Sequence, residues 1–290
     1  AAPLPGGGRG LVCCLLPGVG CVAHGCWALL PSDVAGHVAV SEPPAVDAVP
    51  PTLSAGRPTI SAVLPALNEE ANLERTVRAL VPALSGVGAD YEILVVDDGS
   101  TDRTAEVARR LAEEVPSLRL LRHERNRGYG AALRTGFAAA QREWILLLDA
   151  DGQFLPEELP RLVQAAAGAD LVLGYRQSRA DPALRRLFAA VWRLLVRALL
   201  GVTVRDTNCG FKLMRTALVA ALDLQASGAG ISAELLAKAR RRGAVTAEVA
   251  VTHLPRRWGR QTGGSLRVLL RAYLELARLW WRLRRFPGAG

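Results

Sequence analysis

Leu146-Leu147-Leu148-Asp149-Ala150-Asp151-Gly152-Gln153 is an apolar run that stops abruptly at two carboxylates one residue apart. The segment Trp144–Leu148 reads as a buried strand, because an unbroken apolar run bounded by turn residues suits a sheet covered on both faces. Hard divalent cations bind oxygen, and Mg²⁺ typically takes one or two carboxylates together with substrate phosphates. Asp149 and Asp151 are therefore candidate ligands for Mg²⁺ or Mn²⁺, with an ion there neutralising a departing diphosphate. The competing reading is a capped loop with solvated acids. The position at the end of a fourth strand favours the metal.

Outward from this stretch, apolar runs alternate with amphipathic ones from Thr59 onward. Strands are predicted at Ile60–Leu64, Glu92–Val96, Leu118–Arg122, Asp170–Gly174 and Val245–Val251, besides Trp144–Leu148. Helices are predicted at Glu69–Leu84, Asp102–Glu114, Tyr129–Arg142 and Pro156–Ala167. Four crossovers in succession imply an α/β fold with a mostly parallel sheet flanked by helices and ligand loops at the strand C-termini.

Two further strand ends carry polar clusters. Val95-Val96-Asp97-Asp98-Gly99-Ser100-Thr101-Asp102 closes a strand with paired acids before a helix. One acid suits the turn and the other a base or ribose, while Ser100, Thr101 or Asp102 caps the helix. Val63-Leu64-Pro65-Ala66-Leu67-Asn68-Glu69-Glu70 closes the first strand. A dinucleotide-binding fold would carry G-x-G-x-x-G here, and it is absent. Gly128-Tyr129-Gly130 lacks a third glycine in register and reads as a close-packing turn.

These motifs, with Asn126-Arg127-Gly128 between them, resemble the GT-A, Rossmann-like fold of glycosyltransferase family 2. The order agrees as well: P-x-x-N-E, D-D-G-S-x-D, N-x-G, then D-A-D-x-Q. Gly174-Tyr175-Arg176, Asp206-Thr207-Asn208-Cys209-Gly210-Phe211-Lys212 and Arg256-Arg257-Trp258-Gly259 are similar to the branch of dolichol-phosphate mannosyltransferases and polyprenyl-phosphate glycosyltransferases. The resemblance covers roughly residues 58–262. It implies that Pro65, Leu67, Glu69 and Asp98 surround the donor nucleoside, with Asp97 a further donor-binding candidate. It further implies that Asp149, Asp151 and Gln153 hold metal and diphosphate, and that Arg176 and Arg256 face phosphates. The alternative for each arginine is a surface ion pair.

The implied reaction is an inverting transfer from a nucleotide sugar, GDP-mannose or a UDP-sugar, to a lipid phosphate at the membrane surface. A lipid phosphate is largely ionised near neutral pH and needs no strong base. An alcohol acceptor needs one, and Asp206 is the catalytic candidate for it, unless it only fixes the acceptor loop. Cys209 reads as a small packing residue. One departure concerns the acceptor: where that branch often has R-x-x-G-x-S-K, this chain reads Arg256-Arg257-Trp258-Gly259-Arg260-Gln261-Thr262. The lysine is missing, and Arg260 is an imperfect substitute.

The chain of 290 residues carries a formal charge of +9, and Lys212 and Lys238 are its only lysines. Such a balance fits anionic partners without choosing among them. No helix-turn-helix, RNA-recognition or zinc pattern accompanies the arginines, so nucleic acid is not an expected partner. Cys13, Cys14, Cys21 and Cys26 crowd the N-terminus, which points to a reducing compartment rather than a disulfide framework. Residues 1–57, rich in Pro, Gly and Ala, read as a disordered leader, with a membrane anchor as the alternative for Leu11–Leu30.

Residues 263–290 form the last segment, with a basic amphipathic helix at Leu266–Phe286. Arg267, Arg271, Glu275, Arg278, Arg282 and Arg285 fall within about 80° of one another on a helix wheel. Leu269, Leu270, Tyr273, Leu276, Leu279, Trp280 and Leu283 fill much of the rest. The helix suits a bilayer interface, or else packing on its own domain. Leu184–Leu200 is a second segment of that kind. Neither is an uninterrupted span, so the expectation is a peripheral enzyme on the cytoplasmic face of the membrane. The rival readings are a family 2 enzyme acting on a soluble glycan or small alcohol, a nucleotidyltransferase, and a catalytically inert membrane scaffold.

Overall fold

The computed structural model describes residues 57–177, 183–259 and 266–285, all within the compact unit Val49–Gly290. The leader expected at residues 1–57 and the candidate cation Arg260 lie outside the described residues, apart from Arg57.

Seven strands make one sheet: β1 (Thr59–Ala66), β2 (Asp90–Asp97), β3 (Leu118–Arg122), β4 (Trp144–Leu148), β5 (Leu171–Arg176), β6 (Phe211–Arg215) and β7 (Thr246–Val251). Their order across the sheet is β3-β2-β1-β4-β6-β5-β7. β1 pairs in parallel with β2 and β4, β2 with β3, and β5 with β7. β6 runs antiparallel to both β4 and β5. It was not foreseen from the sequence, and it makes the sheet mixed while leaving it mostly parallel.

Among the described residues, eight helices flank the sheet: α1 (Leu73–Gly86), α2 (Thr104–Glu114), α3 (Tyr129–Ala139), α4 (Leu159–Ala165), α5 (Ala183–Leu200), α6 (Thr216–Ala221), α7 (Ile231–Arg241) and α8 (Leu266–Arg285). Short 3-10 turns border α4, at Pro156–Glu158 and Ala166–Gly168. The strands alternate between two cores. Ile60, Ala62, Leu64, Ile93, Val95, Leu146 and Leu148 join α1, α2 and α4 in one. Val63, Leu94, Val96, Ile145 and Leu147 join α3, α5, α7 and α8 in the other. This is the period-2 alternation of a strand covered on both faces. Each such fully buried aliphatic side chain contributes about 1.5–3 kcal/mol relative to exposure.

Two helix boundaries differ from expectation for identifiable reasons. α1 begins at Leu73 rather than Glu69, because Asn68 sits at φ 56° and Glu69 spends its backbone and side chain on loop contacts. α3 stops at Ala139 rather than Arg142. The N–H of Gln141 donates to Glu92 Oε1 at 2.7 Å and that of Arg142 to Ser61 Oγ at 3.0 Å, which draws the chain into the sheet.

α8 packs on its own domain along Ala272, Leu276, Leu279 and Leu283, all buried. Leu270, Leu274 and Trp281 lie on roughly the opposite face at about 100° per residue and are exposed. The single apolar surface read from the sequence is thus two stripes, one in the core and one facing outward, with the arginines between them. Among the described residues, no helix is long and apolar enough to cross a membrane.

Candidate active site

After β1 the chain runs outward to β2 and β3, then returns to the other side of β1 as β4. Such a reversal leaves a crevice outside the carboxyl ends of the strands, where ligands bind in open α/β sheets. A cavity of about 500 Å³ lies there. It is lined by nine of the eleven residues expected from the sequence: Pro65, Leu67 and Glu69 after β1; Asp98 after β2; Asp149, Asp151 and Gln153 after β4; and Arg176 and Arg256 from β5 and beyond β7.

The loops after β1 and β2 hold one another. Asn68 Oδ1 accepts the N–H of Thr101 at 2.9 Å, and Ser100 Oγ accepts the N–H of Asn68 at 2.9 Å. The N–H of Glu69 donates to Thr104 Oγ1 at 2.8 Å. The carboxylate of Glu69 accepts from Arg256 Nη2 at 2.6 Å and from Asn72 Nδ2 at 2.7 Å. Burial raises the pKa of Glu69 despite these donors.

The two acids of the D-D-G-S motif divide their work between the turn and the cavity. Asp97, expected at the donor, does not line the cavity. It is fully buried, accepts the N–H of Ser100 at 2.9 Å and faces Arg122 Nε at 3.1 Å. Adjacent strand residues point to opposite sides, so only one of the pair reaches the crevice. Asp98 does reach it and also holds the loop after β3, accepting from the N–H groups of Arg127 and Gly128 at 2.9 and 2.8 Å. His123 Nδ1 lies 2.7 Å from the same carboxylate. Gly99 makes this possible: at φ 72°, a Cβ there would lie 2.4 Å from the carbonyl carbon of Arg125.

Asp149 and Asp151 form the floor. Tyr129 Oη donates to Asp149 Oδ1 at 2.9 Å. Burial first, and the charge of Asp151 second, raise the pKa of Asp149 to about 7. The same burial and the Asp149 charge hold the Tyr129 phenol well above its ordinary value. Gln153 ties this loop to the segment after β7: its side-chain amide donates to the Leu254 carbonyl at 2.9 Å, and its backbone carbonyl accepts the Leu254 N–H at 2.7 Å. That tie brings Arg256 within 3.7 Å of Asp151.

A divalent cation fits this floor. A carboxylate raised to about 7 by burial first and by a neighbouring carboxylate second is a site where added positive charge is favoured. No group of three or more His, Cys, Asp or Glu side chains with metal-holding geometry occurs among the described residues. Two carboxylates with substrate phosphates suffice for Mg²⁺.

Arg176 and Asp206 form a bidentate pair, with Nε to Oδ2 at 2.6 Å and Nη2 to Oδ1 at 2.9 Å. Asp206 does not line the cavity; it also accepts the N–H of Asn208 at 3.2 Å. Arg176 and Arg256 are mostly buried and line the cavity, so neither is a surface ion pair. Cys209 is buried and its thiol is pushed up to about 11 by burial, as suits a packing residue. Lys212 is buried as well, with its ammonium donating to the Cys209 carbonyl.

The cavity lining also includes Tyr129, Ala229, His253 and Arg271, none of which the sequence marked as a site residue. Tyr129 follows directly on the N-x-G motif, a signal that was available. The others come from distant loops and a helix edge. Gly128-Tyr129-Gly130 is a close-packing turn as expected, since a Cβ on Gly128 would lie 2.4 Å from the Ser227 carbonyl oxygen.

A mostly parallel sheet with paired acids after β4 and arginines around the switch-point cavity defines a GT-A glycosyltransferase fold. The model of glycosyl transferase family 2 matches residues 61–222, and the chain belongs to that family. It is 34% identical over 211 residues to the undecaprenyl-phosphate 4-deoxy-4-formamido-L-arabinose transferase of Edwardsiella ictaluri, covering 71% of this chain and 63% of that protein. It is 36% identical over 209 residues to the protein of that name from Pseudomonas paraeruginosa, covering 71% and 60%. The chain thus spans less than two thirds of the length of these relatives. Among solved structures, glucosyl-3-phosphoglycerate synthase from Mycobacterium tuberculosis in complex with phosphoglyceric acid matches with a TM-score of 0.64 and 26% identity, over 77% of this chain and 80% of that one. The same enzyme in complex with Mn²⁺, UDP and phosphoglyceric acid matches with a TM-score of 0.62 and 26% identity, over 77% and 78%.

Proposed function

We propose that this chain transfers a sugar from a nucleotide-sugar donor to the phosphate of a polyprenyl phosphate, with inversion, at the cytoplasmic surface of a membrane. The observation that carries the reading is the Asp149–Asp151 pair at the mouth of β4, inside a cavity whose other walls present Glu69, Asp98, Arg176 and Arg256. The similarity to undecaprenyl-phosphate 4-deoxy-4-formamido-L-arabinose transferases supports the acceptor class.

Asp149 and Asp151 would hold Mg²⁺ or Mn²⁺, which supplies neutralisation of the departing diphosphate. The remaining work belongs to the chain. The loops after β1 and β2 enclose the nucleoside, and Asp98 keeps the Asn126–Gly128 segment in place. Arg256 spans Glu69 and Asp151 and so orients the donor phosphates between two loops. Arg176 is held by Asp206 with its planar fork engaged, and the pair orients the Asn208 segment. A carboxylate committed to a guanidinium is a poor general base, because the pair stabilises its charged form. A phosphate nucleophile needs no such base, whereas an alcohol does.

The outward stripe of Leu270, Leu274 and Trp281 on α8, together with Leu194 on α5, supports peripheral attachment to a lipid surface. Arg284 and Arg285 stack on Trp280 and Trp281 at 4.5 and 4.1 Å, an arrangement suited to a headgroup layer.

The test is incubation of the purified chain with Mn²⁺ or Mg²⁺, a panel of GDP- and UDP-sugars, and a short polyprenyl phosphate. A solvent-extractable sugar, lost in Asp151→Ala, is the expected result. Donor turnover without a lipid-linked product would keep the glycosyltransferase and reject the acceptor. No metal-dependent turnover on any donor would reject the reading.

A further inference from the structure

Arg271 stands on the second turn of α8, outside the segment matched by the family model, and its side chain lines the active-site cavity. Its position is built. Glu275, one turn further on, directs its carboxylate inward and accepts the backbone N–H groups of Gly228 at 2.9 Å and Gly230 at 3.0 Å. Neither glycine has room for a side chain: a Cβ on Gly228 would lie 2.8 Å from Glu275 Oε1, and one on Gly230 2.7 Å from Oε2. Glu275 Oε1 lies 3.4 Å from Arg271 Nε, and Arg271 Nη2 donates to Ser227 Oγ at 2.7 Å. The Ser227 carbonyl accepts the N–H of Gly130 at 3.0 Å. Arg271 is thereby fixed beside the segment that brings Tyr129 to Asp149.

We infer that Arg271 is a phosphate-binding residue of this cavity, carried in by the C-terminal helix and positioned by Glu275. The inference deepens the function proposed above and rests on its assignment of the cavity to phosphate-bearing substrates.

Charge is the first argument. The lining side chains include four carboxylates, Glu69, Asp98, Asp149 and Asp151, against three arginines, Arg176, Arg256 and Arg271. A divalent cation takes that set from one net negative to one net positive; without Arg271 it stops at zero. A site that must hold further phosphate charge therefore depends on this arginine. The second argument is donor capacity. Guanidinium has five N–H donors in a planar fork. Ser227 and Glu275 engage two of them among the described residues, and the side chain is 54% exposed. Glu275 already accepts two backbone N–H groups, which weakens its claim on the guanidinium. The competing account, an i,i+4 surface ion pair, contributes little and is screened by salt.

The ligand is a phosphate group, from either the donor diphosphate or the acceptor. The full chain, Arg271→Gln and Arg271→Lys are titrated in Mn²⁺ with UDP and GDP and with citronellyl phosphate. Uridine, guanosine and citronellol are the phosphate-free controls. At least a tenfold loss of affinity in Arg271→Gln for one phosphate ligand, with its control unchanged and partial recovery in Arg271→Lys, is expected. Loss with the nucleotides assigns Arg271 to the donor, and loss with citronellyl phosphate assigns it to the acceptor. Unchanged affinity for both classes overturns the inference. So does equal loss of phosphate ligands and controls, which marks a collapsed wall. Phosphate binding by the wild type without sugar transfer would sink the proposed function alone. A wild type that binds neither class overturns both.

Discussion

The phenol of Tyr129 donates to Asp149 Oδ1 at 2.9 Å, so the helix that follows the N-x-G motif holds the first acid of the D-x-D motif. This bond lowers the proton affinity of a carboxylate that burial otherwise raises. Tyr129→Phe removes one donor and little volume. Hydrogen bonds to charged groups contribute about 1.5–3 kcal/mol, so Mn²⁺ affinity at neutral pH should fall by about tenfold or more. Isothermal titration with Mn²⁺ reads this directly, and affinity within twofold of wild type would remove Tyr129 from the site.

Metal binding should depend on pH around the raised value of Asp149, about 7. Below that value a metal must displace a proton, so affinity rises with pH and then flattens. Without metal the sign reverses for stability. The folded chain binds this proton more tightly than the unfolded chain, whose aspartates titrate near about 3.9. Stability is therefore greatest below that value and declines as pH rises toward 7. Mn²⁺ titrations and urea melts between pH 5 and 8.5 test both slopes, and a flat metal profile would contradict the assignment.

Gly210 has no room for a methyl group, because a Cβ there would lie 1.9 Å from Asp149 Oδ2. Gly210→Ala should displace that carboxylate while β6 continues to pair through Phe211–Arg215. Overpacking costs about 1–3 kcal/mol, so a folded protein with at least hundredfold weaker Mn²⁺ binding is expected. Circular dichroism alongside metal titration separates this from unfolding.

Lys212 is buried among Cys209, Asp206 and Asp149, and burial lowers its pKa. Lys212→Met keeps much of the volume but leaves the Cys209 carbonyl without its donor. A destabilisation of about 1–3 kcal/mol is expected in urea denaturation. Loss of the nearby positive charge should also raise the pH at which metal binding saturates. An unchanged denaturation midpoint and pH profile would show that the ammonium is dispensable.

The outward stripe of α8 should govern lipid attachment alone. Replacing Leu270, Leu274 and Trp281 by serine should lower co-sedimentation with anionic vesicles at least tenfold and leave the melting temperature within a few degrees. Retained sedimentation would assign attachment to another surface.

The part of the cavity lined by the loops after β1, β2 and β4 was legible in the sequence because each of those loops is a contiguous motif at the end of a strand with an unbroken apolar run. Asp97 and Asp98 show where that reading stops: adjacent acids are equivalent on paper, and only the pleat decides which faces the crevice. β6 escaped because Lys212 interrupts its apolar run and its neighbours in the sheet, β4 and β5, precede it in the chain. α7 escaped for a related reason. Its charged Glu234 and Lys238 interrupt the apolar pattern, yet both residues are buried, 3.1 Å apart. Ala229, His253 and Arg271 reach the cavity from separate elements, and no local pattern ties them to Asp149.

The clamp between Glu275 and the two glycine N–H groups has a practical consequence. The stretch most tempting to trim for solubility, the arginine- and tryptophan-rich C-terminal helix, is also masonry of the active site. A chain cut before Leu266 would leave the N–H groups of Gly228 and Gly230 without their carboxylate and the cavity without a wall. Truncation aimed at the proposed lipid attachment would therefore open the cavity as well, and point changes on the outward stripe are the cleaner route to a form that keeps the cavity intact.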